Sequence, residues 1–118
     1  MTAITIEVPD DLARRLAPIS TWLPTVLELG LVGFRTPAIQ TASEIIALLA
    51  TGPSVESVLG FHVSDRAQER LRRLLALEAG GQLSVDEHAE LDELQRIEHI
   101  MIMLKGRLQE RLGEGHVG

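Results

Sequence analysis

Hydrophobic and polar positions divide the chain into one stretch with a period of two and several with a helical period. Residues 3–8, Ala-Ile-Thr-Ile-Glu-Val, alternate apolar and polar and are rich in β-branched side chains, which predicts a β-strand. Pro9 ends it. Asp10 and Asp11 then open a short helix, with acids at the end where the helix dipole favours them, and Pro18 closes it. Pro24 suits a first helical position and opens a second helix through Val26, Leu27, Leu31 and Phe34. Gly30 and Gly33 weaken that helix by up to ~1 kcal/mol each and suggest the close approach of another helix.

The rest of the pattern is helical. Thr41 and Glu44 form a capping-box pattern ahead of an apolar run, which predicts a helix over 41–50. A turn at 51–54 leads to a short helix at about 54–60. Ser64 caps a helix over 65–78, which Gly80 and Gly81 end. Ser84 and Glu87 form a second capping box, opening a long helix to about residue 112, with Gly113 to Gly118 as a frayed tail. Acids crowd the first half of the long helix (Asp86, Glu87, Glu90, Asp92, Glu93) and bases the second (Arg96, Lys105, Arg107, Arg111), an order that complements the helix dipole. The expected fold is mostly α: a short N-terminal strand with two helices, connector helices, and a C-terminal antiparallel helical hairpin over 65–112. The stretch 36–41 is the candidate boundary, giving an N-terminal unit 1–36 and a helical region 37–118.

The long helix carries Leu91, Leu94, Ile97, Met101, Leu104, Leu108 and Leu112 at spacings of three and four, a coiled-coil-like seam. Leu71, Leu74, Leu75 and Leu77 face it. The seam is crossed by Ile100, Met101, Ile102, Met103 and Leu104, five successive apolar residues that cover every side of a helix. One partner helix buries only one stripe of these. The remainder is packed by the same chain, by a second copy, or by a foreign protein, and the adaptable Met101 and Met103 suit an interface that repacks.

Composition narrows the function. Apolar residues are 45 % of the 118, but aromatic residues only 3 %, so the core is aliphatic and offers few surfaces for stacking bases. Eleven Lys and Arg stand against seventeen Asp and Glu, a net charge of −6. Such a balance disfavours a phosphate-gripping protein and fits a basic protein partner. The absence of cysteine excludes disulfides, thiol nucleophiles and Cys-based zinc sites. No basic-then-apolar leader opens the chain, and no apolar run approaches the ~18 residues of a membrane span, so a cytoplasmic protein with no membrane contact is expected.

Ala-Ile-Thr-Ile-Glu-Val-Pro-Asp-Asp-Leu-Ala-Arg-Arg-Leu, followed by Leu-Pro-Thr-Val-Leu-Glu-Leu-Gly-Leu, resembles the start of a ribbon-helix-helix protein, the form of many bacterial antitoxins and repressors. The resemblance covers about residues 2–35. It implies a homodimer whose strands pair as an antiparallel ribbon, with Ile4, Ile6 and Val8 turned inward for dimerisation. Ala3, Thr5 and Glu7 would then face the DNA major groove, where Thr5 can hydrogen-bond a base edge and Glu7 can accept from cytosine. The hairpin, with Leu-Ser-Val-Asp-Glu-His-Ala-Glu-Leu-Asp-Glu-Leu and Glu-His-Ile, is similar to C-terminal segments of small antitoxin-like bacterial proteins.

Signatures of catalysis are missing: no GxSxG, Walker A lysine, HExxH or GxGxxG after a strand. The histidines are His62, His88, His99 and His116. His88 and Asp92 stand four apart on the long helix, a spacing that can ligate a metal, but His99 lies three turns from His88, too far to share one ion, and a solvated polar face is the reading preferred for them. The cluster Arg66, Arg70, Arg72 and Arg73, interrupted by Glu69, suits phosphate or the acids of the next helix. The expectation is a non-enzymatic protein without cofactor or metal. It is an antitoxin-like dimer that binds a cognate toxin, of the ribonuclease kind, through Ile100–Leu104 and the acids Asp86, Glu90, Asp92 and Glu93. DNA binding to its own operator is the accompanying possibility. The alternatives are a free-standing repressor, or an adaptor or structural subunit without DNA binding.

Overall fold

The axis of the molecule is the long C-terminal helix that the paired capping residues and the apolar seam anticipate. The computed structural model describes residues 1–116, with side-chain surroundings through residue 113. Among the described residues six α-helices follow one another: α1 (Asp10–Leu16), α2 (Leu23–Gly30), α3 (Ile39–Leu49), α4 (Val55–Leu59), α5 (Asp65–Ala79) and α6 (Val85–His116), with a 3-10 turn at Ala17–Ile19 after α1. At about 1.5 Å per residue α6 is roughly 48 Å long, matching the 48 Å longest dimension of the molecule. It continues past residue 112 through the first part of the expected tail; Val117 and Gly118 lie outside the described residues. No helix is long and apolar enough to cross a membrane.

Spacing of three and four along α6 places Leu91, Leu94, Ile97, Leu104 and Leu108 on one stripe, and all five are buried. Met101 is half-buried on the same stripe, and Leu112 emerges into solvent. α5 runs antiparallel along the first half of α6 with Leu74 fully buried between them. α4 packs on α6, and α2 packs on both α3 and α6. Trp22, Leu29, Ala42, Ile45, Leu49 and Val58 complete a single aliphatic core with those leucines. That core is continuous across residue 36.

Polar groups then fix the loops. The Trp22 indole N–H donates to the Pro53 carbonyl at 3.0 Å, and the Lys105 ammonium to the Phe61 carbonyl at 2.9 Å. α5 ends in a Schellman motif: Gln82 N–H bonds Leu77 C=O at 2.8 Å and Gly81 N–H bonds Glu78 C=O at 3.0 Å. Gly81 takes φ +67°, which favours glycine. Ser64 and Ser84 cap α5 and α6. The Ser84 box is reciprocal, with Glu87 N–H on the Ser84 hydroxyl and Ser84 N–H on the Glu87 carboxylate, both at 3.1 Å.

The N-terminal strand is not formed, and this corrects the expected ribbon-helix-helix architecture. Among the described residues there is no strand at all. Alternation specifies a strand only where an edge exists to pair with, and an all-helical body offers none. Residues 1–9 carry no regular structure, and Ile4 and Ile6 are 85 % and 66 % exposed. α1 buries no residue.

Two local expectations also change. The Thr41–Glu44 box does not open α3, which begins earlier, at Ile39. The Thr36 hydroxyl accepts the Ala38 N–H at 3.1 Å instead, and Glu44 accepts the N–H and hydroxyl of Ser64 at 2.7 and 2.8 Å, tying α3 to the start of α5. The second helix stops at Gly30 rather than running through Phe34, and Gly33, at φ +70°, keeps the chain from resuming it. Space around Gly30 and Gly33 is open, so neither marks a close helix approach.

Candidate functional site

Successive residues on an α-helix turn by about 100°, so the five apolar residues 100–104 must point all round α6. Leu104 is buried in the core, and Ile100 and Met101 are half-buried against it. Ile102 and Met103 are left 60 % and 50 % exposed. The intramolecular core therefore accounts for three of the five, and the apolar surplus opens toward solvent on two sides of α6.

On one side lies a cleft of 680 Å³ between α2 and α6. Leu31, 84 % exposed at the end of α2, stands in it with Val32 and with Ile100 of α6. Glu28 and Asp92 supply negative charge, Arg96 a single positive charge, and His99 completes the wall. Glu28 also meets Arg107 at 3.9 Å, a half-exposed pair worth at most about 1 kcal/mol. Leu27, one turn before Leu31, is exposed as well. Sequence reasoning missed this face. The available signal was the excess of apolar residues over 23–32 (Leu23, Val26, Leu27, Leu29, Leu31, Val32), more than one stripe of a short helix can bury.

On the other side, an apolar groove of 450 Å³ runs between α5 and α6. Phe61, Val63, Leu71, Leu75, Met101 and Ile102 line it, with Arg72, Lys105, Glu98 and His62 among the polar lining groups.

The acids of α6 part company. Glu90 has its side chain only 5 % exposed and takes a two-point hydrogen bond from Arg70, at 2.8 and 2.9 Å. That contact raises the Arg70 pKa further above its ordinary value, chiefly through the hydrogen bond and against a smaller desolvation effect. Glu93 accepts from Arg35 N–H at 3.0 Å, Thr36 N–H at 3.3 Å and the Thr36 hydroxyl at 2.6 Å, clamping the 33–38 turn onto α6. Glu87 is held below the usual carboxylate range, first by the Ser84 backbone N–H and then by the Ser84 side chain. Asp86 and Asp92 alone of the four expected partner-binding acids are exposed. They do not form one continuous surface, since Asp92 lies about 120° around the helix from Asp86 and about 160° from Glu90 at 100° per residue.

A third concavity, of 1210 Å³, separates the first turns of α3 from α5 and carries the arginine cluster. Arg70 is paired with Glu90 and Arg72 with Glu69, at 3.3 Å. Among the described residues Arg66 and Arg73 have no ion-pair partner. Half of the cluster's charge is thus spent within the chain.

In the N-terminal segment Ala3, Thr5 and Glu7 are exposed, as are Ile4 and Ile6, and Val8 is half-buried. No ladder aligns Ala3, Thr5 and Glu7 into a reading face. His62, His88 and His99 are exposed, and the His116 side chain lies outside the described residues. Among the described residues no three His, Asp or Glu side chains gather where they could hold a metal ion. No family model, curated protein or solved structure matches the chain.

Proposed function

We propose that the chain is an antitoxin-like binding protein whose helical region captures a basic partner protein in the cleft between α2 and α6. The observation that carries this reading is the company Leu31 keeps. A leucine 84 % exposed stands beside Glu28 and Asp92 on a chain of net charge −6. An exposed apolar anchor with two acids beside it, and Arg96 as the one base of the cleft lining, suits a protein surface that is itself basic and partly apolar, such as the RNA-handling face of a ribonuclease toxin. The acids supply encounter rate and orientation, and Leu31 with Ile100 supplies the desolvated centre. In this reading the protein works in the cytoplasm beside its partner and performs no catalysis. DNA contact is not part of the proposal, because the strand ladder that would present Ala3, Thr5 and Glu7 is missing.

Co-expression with the product of the neighbouring gene tests it. A stable complex is expected by size exclusion, lost on Leu31→Glu and weakened on Asp92→Lys, with both variants retaining helical circular dichroism. A complex indifferent to both substitutions, or no complex, contradicts the proposal.

A second reading, an adaptor in a larger assembly, is favoured by the two separate openings on α6. An adaptor would hold two different proteins at once, so a ternary complex sensitive separately to Leu31→Glu and to Ile102→Glu is its signature.

A further inference from the structure

We propose that Glu93 is the positioning residue of the α2–α6 cleft, holding Leu31 in place for a partner without touching the partner itself. The inference rests on that cleft being the partner site.

Glu93 shares a stripe of α6 with the cleft wall. At 100° per residue Arg96, Ile100 and Arg107 all lie within about 60° of Glu93 around the helix. Arg96 and Ile100 line the cleft, and Arg107 meets Glu28 at 3.9 Å. Glu93 and Arg107 are thus two fastenings on one stripe, about 21 Å apart at 1.5 Å per residue. Leu31 lies on the stretch of chain between Glu28 and Thr36 that they hold. The fastenings are unequal. Arg107 makes one long, half-exposed contact, whereas Glu93 receives the Arg35 N–H at 3.0 Å, the Thr36 N–H at 3.3 Å and the Thr36 hydroxyl at 2.6 Å.

The held segment has little stiffness of its own. α2 ends at Gly30, its last backbone bond runs from the Val32 N–H to the Leu29 carbonyl at 3.3 Å, and Gly33 at φ +70° breaks the helical path. Phe34 packs partly buried against the core, but Leu31 is 84 % exposed, so packing does not place it. Among the described residues every side-chain hydrogen bond between residues 31–38 and α6 ends on Glu93. Pinning this segment removes much of its conformational freedom before a partner arrives. Once it is released, only the molecules with Leu31 in the cleft are competent, and apparent affinity falls by that fraction.

Two measurements on the full chain test it. The first is amide hydrogen exchange of the free protein by NMR. Glu93→Ala is expected to speed exchange at Leu31 and Val32 by at least about fivefold relative to Leu29, which lies within α2. Arg70→Ala breaks a contact between α5 and α6 instead, at a similar cost in stability, and should leave that ratio unchanged. The second is isothermal titration with the neighbouring gene product. Affinity is expected to fall at least about tenfold in Glu93→Ala and at least about fourfold in Thr36→Val, which loses one of the three donors. Thr36→Ser keeps the hydroxyl, and with Arg70→Ala it should stay within about twofold of the parent. An unchanged exchange ratio in Glu93→Ala overturns the inference, and so does an affinity loss that Arg70→Ala reproduces. Parent affinity in Thr36→Val also overturns it, because that outcome means the partner contacts Glu93 directly. If the parent chain itself fails to bind the gene product, the cleft loses its function, while the exchange ratio of the free protein still decides whether Glu93 positions Leu31.

Discussion

Glu93 is the strongest single test of how the loops are held. Its carboxylate receives three donors from Arg35 and Thr36 and so closes the turn between α2 and α3 onto α6. Hydrogen bonds to a charged acceptor contribute about 1.5–3 kcal/mol each when fully desolvated. The Arg35 bond is exposed and the Thr36 bonds are half-buried, so water replaces part of each loss. Alanine also has a helix propensity better by a few tenths of a kcal/mol. Glu93→Ala is therefore expected to cost about 2 kcal/mol. With a urea m-value near 2 kcal/mol/M the midpoint falls by about 1 M, and the melting temperature by roughly 8–10 °C. Glu93→Gln keeps one acceptor oxygen and turns an amide donor toward the other site, so it recovers less than half. The assay is urea unfolding followed by Trp22 fluorescence, a clean probe because Trp22 is the sole tryptophan and is buried. Glu110→Gln, on an exposed position of the same helix, is the control and should stay within about 0.5 kcal/mol of the parent. If Glu93→Ala stays within that margin too, the clamp adds nothing to stability and the reasoning fails.

The remaining predictions concern pairs and caps. Arg70→Ala leaves the Glu90 carboxylate buried without its partner; because Arg70 is 40 % exposed and water reaches the pair, a loss of about 2 kcal/mol is expected in urea unfolding, and the double replacement Arg70→Leu with Glu90→Leu should recover most of it. Gly106 lies inside α6 with nothing within 4 Å of an added Cβ, so Gly106→Ala should raise stability by about 0.5–1 kcal/mol, and a loss in calorimetry would show an unrecognised close approach. The lowered pKa of Glu87 means that its cap stabilises the folded state fully above the ordinary carboxylate value, about 4.3, and that this contribution fades as pH falls through the lower folded value. An NMR titration should find Glu87 below the ordinary glutamate value. Ser84→Ala, which keeps the dominant backbone bond, should move it only part way back.

What was legible in the sequence follows from how local each signal is. The seam from Leu91 to Leu108 and the caps Ser64 and Ser84 are one-dimensional patterns with a helical period, and the hairpin of α5 and α6 follows them. Thr41 and Glu44 misled because a capping box is only a spacing. Pro37 and Thr36 start the helix sooner, and Glu44 is drawn to Ser64, twenty residues away. Residues 3–8 misled for a different reason, since strand alternation states a capacity for pairing and not the presence of an edge. The acids of α6 read as one surface in sequence, yet Glu90 and Glu93 turn inward because Arg70 and the Thr36 turn lie opposite them. The cleft around Leu31 depends on where α2 crosses α6, which no local pattern encodes. The apolar surplus at 100–104 was visible, and only the structure shows that it divides between two faces.

The central claim is that this helical chain works by binding a protein at the α2–α6 cleft. Isothermal titration of the purified chain with the neighbouring gene product, alongside the Leu31→Glu variant, tests it most directly. The account predicts saturable binding whose affinity falls with rising salt and drops by at least about tenfold in the variant. Equal affinity for parent and variant would contradict it.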